Sequence, residues 1–327
     1  MTLLKSRYVL RTVAFFCCLI AGQIAQAQND FPNRPARIVV ASVAGGILDT
    51  VARTIAQGLS VNTAQQFVIE NRAGAGGLIG TEYVAKATPD GYTAGHVATS
   101  HAINPAVYAK MPYDTLRDLA AVAQTVNLTN VLVVQSAFPA NNLLELIALA
   151  KTQPGKLTFG SAGVGQSNHL SGEILKQMAG IDLVHVPYKG SAPALIDLLA
   201  GTTSMMFVDA LSAMPHIQSG KLKVIAATGF KRSASLPQYP TLNESGLPGF
   251  NGNSWLGLVL PAGTPSGIVA QLSAQVSKVL NQPEMRAKLL SQGVEPVGST
   301  PSEFKAFLEV EIKRYGEAAR AANIQPQ

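Results

Sequence analysis

From Lys156 to Leu175 the chain reads KLTFGSAGVGQSNHLSGEIL, a short β-like run, a loop of glycines and hydroxyls, then an amphipathic helical pattern. A helix entered through such a loop leaves its first backbone N–H groups without intrahelical partners and sets the positive end of its dipole beside them. The unit therefore suits a carboxylate or phosphate. VHVPYKGSAPALIDLLAG, Val184 to Gly201, repeats the plan, with Ser191 placed to cap a helix that buries Leu195, Leu198 and Leu199. Two such seats a few dozen residues apart predict a binding cleft.

The same alternation runs along the rest of the chain. FPNRPARIVVASVAGGILDTVARTIAQGLS holds a strand at Ile38 to Ala41, a glycine turn, and a helix with Val51, Ile55 and Leu59 at helical spacing. QQFVIENR, AGAGGLIGTEYVAKATPDG and YTAGHVATS add a strand, a glycine loop leading to a helix, and a third strand. Strands separated by helices predict a parallel α/β sheet. After INPAVYAKMPYDTLRDL the pattern restarts and continues to LKVIAATG, which predicts a second domain of the same class. NGNSWLGLVLPAGTP reads as a return strand, and Thr264 and Pro265 start a helix carrying Ile268, Leu272, Val276 and Leu280. Thr300-Pro301-Ser302-Glu303 is a capping box ahead of a helix that buries Phe304, Phe307, Leu308 and Ile312. The simplest topology assigns residues 28–126 and 252–327 to domain 1 and 127–251 to domain 2, with crossings near Ala123 to Asn127 and Asn251 to Leu256 acting as a hinge. Ligands of such sheets sit beyond the carboxyl ends of the strands, in a cleft that closes about the hinge.

The chain starts with Lys5, Arg7 and Arg11, an apolar run from Val13 to Ala21, and Ala25-Gln26-Ala27. This is the pattern of a secretory signal removed after Ala27, with an apolar run too short to span a membrane. Both cysteines, Cys17 and Cys18, fall inside it, so thiol chemistry, cysteine metal sites and disulfides are excluded from the mature chain. Half of the formal +6 leaves with the leader, and the mild remainder does not point to nucleic acid.

Other chemistry finds little support. The run Gly74-x-Gly76, with Gly80 beyond it, lacks the acidic residue a dinucleotide site needs at the end of the next strand, and reads as a turn and a close helix approach. Ser167 and His169 flank Asn168 in a near miss of the hydrolase elbow Gly-x-Ser-x-Gly. Two positions apart on a helix start they point in different directions, so Ser167 reads as a cap and ligand donor. His96, His101, His169, His185 and His216 show no metal-ligand spacing, and no cofactor or metal is expected. A serine hydrolase or transferase using Ser167 or Ser161, and a ligand sensor for a signalling partner, are the alternatives.

RIVVASVAGGILDTVAR, VIENRAGAGGLIGTEYVAKATPDGYT, ATSHAINPAVYAKMPYD, GSAGVGQSNHLSGEIL, HVPYKGSAPALIDLLAG, MMFVDALSAMPHI, SWLGLVLPAGTP and GVEPVGSTPSEF span nearly the whole mature chain. In these segments the chain resembles the Bug (TctC-type) family, the extracytoplasmic solute receptors of tripartite tricarboxylate transporters. The resemblance implies a type II periplasmic binding protein fold, no catalysis, a monomer in the periplasm, and capture of a small carboxylate solute for a membrane transporter. Carried over residue by residue, it points to Gly45, Gly46 and Asp49 in the first loop, Thr99 and Ser100 after the third strand, and Ser161, Gly163, Ser167 and His169 in the opening motif. Tyr188, Gly190 and Ser191 follow from the second seat, with Asp209 and Trp255 beyond it. Ser42, Leu48 and Val208 depart from the residues common in the family, and they line the cleft. Asp49 either caps the first helix or faces the ligand, His169 is a helix-start histidine or a ligand contact, and Trp255 is core or cleft wall.

Overall fold

The aliphatic runs become strands, and the chain lays them into two sheets. In the computed structural model residues 31–326 are described, so the leader read at Met1 to Ala27 lies outside the described residues. The strands are β1 (Ala36–Val40), β2 (Phe67–Asn71), β3 (Thr93–Ala98), β4 (Leu119–Leu128), β5 (Asn130–Gln135), β6 (Thr158–Ser161), β7 (Val184–Pro187), β8 (Met205–Asp209), β9 (Leu222–Ala227), β10 (Ser254–Pro261) and β11 (Val294–Pro296). The helices are α1 (Ile47–Thr63), α2 (Leu78–Ala85), α3 (Ser100–Val107), α4 (Leu143–Thr152), α5 (Ser167–Ala179), α6 (Ser191–Ala200), α7 (Ala210–Gln218), α8 (Ser266–Leu280), α9 (Pro283–Ser291) and α10 (Pro301–Ala321). One sheet has the order β11-β4-β10-β3-β1-β2 and the other β7-β6-β8-β5-β9. Each sheet with its helices forms a lobe.

The sheets are mixed, which corrects the expectation of parallel sheets. β1 runs parallel to β2 and β3, and β6 runs parallel to β7 and β8, because helices carry the chain back across the sheet between them. β10 is antiparallel to β3 and β4, and β5 is antiparallel to β8 and β9. β5 and β10 are the strands that enter a lobe directly from the other one, without a helical crossover to reverse them. The outward passage is the single residue Thr129 between β4 and β5, just beyond the segment Ala123 to Asn127. The return runs through Asn251 to Asn253 into β10.

Strand alternation decides which face each side chain covers. Ile38 and Val40 pack with Val51, Ile55 and Leu59 of α1 and Val276 of α8, whereas Val39 joins Trp255, Phe304, Leu308 and Tyr315 under α10. The capping box is formed: the Glu303 N–H donates to Thr300 Oγ1 at 3.3 Å and the Thr300 N–H to Glu303 Oε2 at 2.8 Å. Leu170 of α5 sits in the cluster under α10, so this second-lobe helix is packed on the first lobe as well. Helices α3 and α9 and strand β11 are additional to the elements that the sequence pattern predicts. Pro105 inside α3 hides its helical pattern, and β11 is three residues long.

Two glycines show how tightly the elements approach. A Cβ on Gly80 would lie 2.7 Å from the Arg72 carbonyl oxygen, which is the close approach of α2 read from the sequence. A Cβ on Gly257, in the middle of β10, would lie 2.1 Å from Cζ of Phe304. We expect Gly257→Ala to lower stability by about 2–3 kcal/mol through overpacking, read as a fall in the urea midpoint at unchanged slope.

Candidate ligand cleft

The loop after β1 turns at Gly45, whose φ of 83° favours glycine, and enters α1 at Gly46. Asp49 lies in the first turn of α1 and is buried. Its carboxylate accepts from the Gly45 N–H at 2.9 Å, from Arg53 Nε at 2.9 Å and from Asn71 Nδ2 at 2.9 Å. The Arg53 guanidinium, helped by the Gly45 amide and Asn71, holds the Asp49 carboxyl down at about 2. Gly46, not Asp49, therefore holds the cap position, and the Asp49 carboxylate ties the loop to the helix. In front, the N–H groups of Ile47 and Leu48 have no acceptor among the described residues.

The loop between β6 and α5 is held in the same manner. Ser161 Oγ is buried, lies 2.6 Å from His185 Nε2 and accepts the Gly163 N–H at 3.1 Å. Asn168 Oδ1 accepts the N–H of Ala162 at 3.2 Å and of His169 at 3.1 Å. His169 Nδ1 accepts the Gly165 N–H at 3.0 Å, which puts the imidazole proton on Nε2. The rings of His169 and His185 stack with centroids 3.7 Å apart, and Phe159 stacks on His185 at 4.9 Å. Burial, then the neighbouring His185 and Lys176, depresses His169 to about 3; burial, then Lys176, takes His185 to about 4. Gln166 holds the cap position without a side-chain bond, so Ser167 is the first helical residue and not the cap. Its hydroxyl and N–H, and the N–H of Asn168, have no partner among the described residues.

The starts of α3 and α5 face each other across a cavity of about 40 Å³ between the lobes, lined by Ser100, Asn104, Val107 and Tyr108 on one side and Val164, Gly165 and Gln166 on the other. A second interlobe cavity lies beside the crossing, where Ile47, Leu128 and Thr129 meet Asp209, Ala210 and Leu211. Of the expected site residues, Ser100 lines the first of these cavities and Asp209 the second. Other expected side chains have partners within the protein. Thr99 Oγ1 accepts the Trp255 N–H at 2.9 Å. Tyr188 donates its hydroxyl to Asp197 at 2.6 Å, and Gly190 gives its N–H to the Ala162 carbonyl. Gly190, not Ser191, is the cap residue of α6, since Ser191 already has helical backbone. Asp209 caps α7 by accepting from the Ser212 N–H and hydroxyl. Trp255 is core: it is 1% exposed, donates Nε1–H to Glu311 at 2.9 Å and meets Phe304 and Phe307 edge-on. Sequence reasoning missed Arg53, Asn71, Asn168 and His185. Arg53 was open to discovery as the i+4 partner of Asp49, and Asn168 as an acceptor at a helix start.

Two α/β lobes joined by two crossings, with helix starts of both lining cavities between them, make the type II periplasmic binding protein fold. The chain matches the family described as tripartite tricarboxylate transporter family receptor (TctC) over residues 51–324, and it belongs to that family. A UPF0065 protein from the tcbD-tcbE intergenic region of Pseudomonas sp. (strain P51) is 37% identical over 89% of this chain and 87% of its own length. Protein BugT of Bordetella pertussis is 33% identical over 92% of this chain and 93% of its own. An R. palustris protein solved with adipate is 36% identical with a TM-score of 0.79, covering 91% of this chain and 100% of that one. MatC from Rhodopseudomonas palustris, solved with bound malate, is 32% identical with a TM-score of 0.73, covering 88% of this chain and 99% of that one. Proteins of this family are periplasmic solute receptors, and no helix among the described residues is long and apolar enough to cross a membrane.

Two expectations follow from the clamps. Asp49→Asn removes the charge that orders Gly45 and Arg53, and should cost about 1–3 kcal/mol, measured by urea unfolding at pH 7.5. Acid should also destabilise the fold in two stages. Burial takes His96 and His101 to about 4, as it does His185. The unfolded chain therefore takes up protons near pH 6.5 that the folded chain refuses, and each such histidine removes up to about 1.4 kcal/mol per pH unit between there and pH 4. Asp49 contributes stability above pH 4 that is lost as pH falls toward 2. Melting temperature against pH should be flat above 7 and fall steeply below 6.

Proposed function

We propose that this protein is exported to the periplasm, captures a small carboxylate-bearing solute between its lobes, and delivers it to a membrane transporter of the tripartite tricarboxylate type. One observation carries the reading: α3 and α5, from two lobes, start on either side of one interlobe cavity, α1 starts beside a second, and the first amides of all three have no partner among the described residues. Such amides favour an anion. Membership of the receptor family, and solved relatives whose ligands are adipate and malate, support a carboxylate as that anion. Ser167 and Ser100 add hydroxyl donors at the two facing helix starts. Thr129 and Asn251 to Asn253 are the crossings about which the lobes close.

The magnitudes suffice without an arginine in the gap. A micromolar dissociation constant corresponds to about 8 kcal/mol. Three or four hydrogen bonds to a charged group, at about 1.5–3 kcal/mol each, reach that figure together with apolar burial once ordering costs are met.

Isothermal titration against a panel of small organic acids tests the binding step. We expect at least one acid to bind at micromolar level, and Ser167→Ala to weaken it by about 1–3 kcal/mol with the melting temperature of the free protein unchanged. An unchanged dissociation constant would place that hydroxyl outside the site. Uptake of the same acid by a deletion strain, complemented with the wild-type protein or with Ser167→Ala, tests delivery.

A further inference from the structure

The lobes meet on both sides of the crossings, and a cavity lies on each side. Leu128 is in register with Val294, and Asn127 with both Glu295 and Trp255, so the two rows show opposite faces of the first-lobe sheet. Leu128 and Val294 line the front cavity beside α1, where the second lobe supplies the start of α7. Asn127, Glu295 and Trp255 line a rear cavity on the α10 face, where the second lobe supplies Phe230, Lys231 and Arg232 and α10 supplies Phe307. The crossings run between the two: Thr129 lines the front cavity, Asn251 and Asn253 the rear one.

The two sides are unequally open. The front cavities at Ser100 and at Thr129 measure about 40 and 10 Å³, the rear one about 280 Å³. Rotation about the crossings moves the start of α7 and the loop at 230–232 in opposite senses, like the ends of a lever, so widening the front narrows the rear. The rear walls that then approach are complementary. Phe230, 55% exposed, lines the wall across from the half-buried Phe307, and Lys231 and Arg232 line the wall across from Glu295. Glu295 already joins the two walls at one edge by accepting the Ala234 N–H at 2.9 Å.

Resting on the receptor reading above, we propose that Phe230 and Phe307 close on each other behind the crossings when the solute side opens, and that this rear contact sets how tightly the solute is held. The two contacts are alternatives. A solute that draws the lobes together in front must part the rear walls, so its apparent affinity is that of the closed form scaled by the fraction of molecules closed without it. Residues that never touch the solute thereby control its affinity. Removing the Phe230 ring withdraws an aromatic pair from the open form alone, because in the closed form that ring is more than half exposed and has little packing to lose.

The chain from residue 28 onward has no cysteine, so a cysteine pair can be placed across the rear cavity alone. The mature protein carrying Phe230→Cys and Phe307→Cys is oxidised with diamide, with and without saturating adipate or malate, and followed by thiol titration. We expect the disulfide to form in the free protein and bound acid to slow its formation about tenfold or more. The oxidised protein should bind the acid about tenfold more weakly or worse, and reduction should restore binding. Phe230→Ala in the otherwise native chain, at an exposed loop position that keeps the fold, should tighten acid binding about threefold to tenfold in titration calorimetry. A disulfide that does not form while both thiols are free, one that forms as fast with acid bound, or an unchanged affinity in Phe230→Ala would overturn the rear contact and leave the receptor reading standing. If neither acid nor any other in the panel binds the wild type, the receptor reading fails and the link to affinity with it, while disulfide formation in the free protein still decides whether the rear walls meet.

Discussion

A backbone amide can serve an incoming anion only if it is left unpaired in front and held still from behind. Both conditions are met in the two main loops of this protein by buried acceptors that bond the neighbouring amide rather than the one facing the gap. Asp49 takes the Gly45 N–H, Asn168 takes those of Ala162 and His169, and His169 takes that of Gly165. Each bond uses a side chain from the first turn of the following helix to fix the loop that leads into it. Loop and helix start therefore move as one piece. The ordering entropy of these loops is spent in folding, so less is lost when a solute arrives.

The lobes are not free of one another. α5 supplies Leu170 to the core under α10 while its N-terminus carries Ser167 toward the gap. On the far side of the crossings, Arg314 of α10 donates to the Asn251 carbonyl and pairs with Glu311, which also receives the Trp255 indole. Glu295 of β11 accepts the Ala234 N–H from the second lobe at 2.9 Å. Gly252 has no room for a side chain, since a Cβ would lie 3.0 Å from Ser171 Oγ and from a carbon of the Phe250 ring. These contacts tie the two lobes together beside the crossings.

How much of this could be read beforehand follows from the range of the forces involved. Local patterning located the strands at Ile38, Val68 and Val97, the helix starts after Gly46 and Gln166, and the capping box at Thr300, because each depends on residues a few positions apart. The direction of β10 and β5 did not emerge, since it depends on the chain changing lobes. The side chains proved harder still. Thr99, Ser161, Tyr188 and Asp209 have the polar character and the loop positions of ligand contacts, yet each spends its oxygen on a nearby amide, hydroxyl, imidazole or carboxylate. A short polar side chain at a strand end is as well suited to pinning a loop as to touching a ligand, and only the partner atom distinguishes the two. Asn168 shows the converse: it lies between Ser167 and His169, and its side chain holds the loop.

The same economy bears on what a receptor must do after capture. An arginine in the gap would add a strong bidentate contact to a carboxylate and slow its release. The seats here are instead neutral on the ligand side, and the charges that stabilise them, Asp49 with Arg53 and Glu173 with Lys176, are paired within the protein. A carboxylate held by dipoles and hydroxyls depends on several donors from both lobes at once. When the lobes part, half of those donors leave together and water replaces them, so opening by itself converts a tight site into a weak one. On the receptor reading proposed above, release would then follow from separation of the lobes rather than from breaking an ion pair.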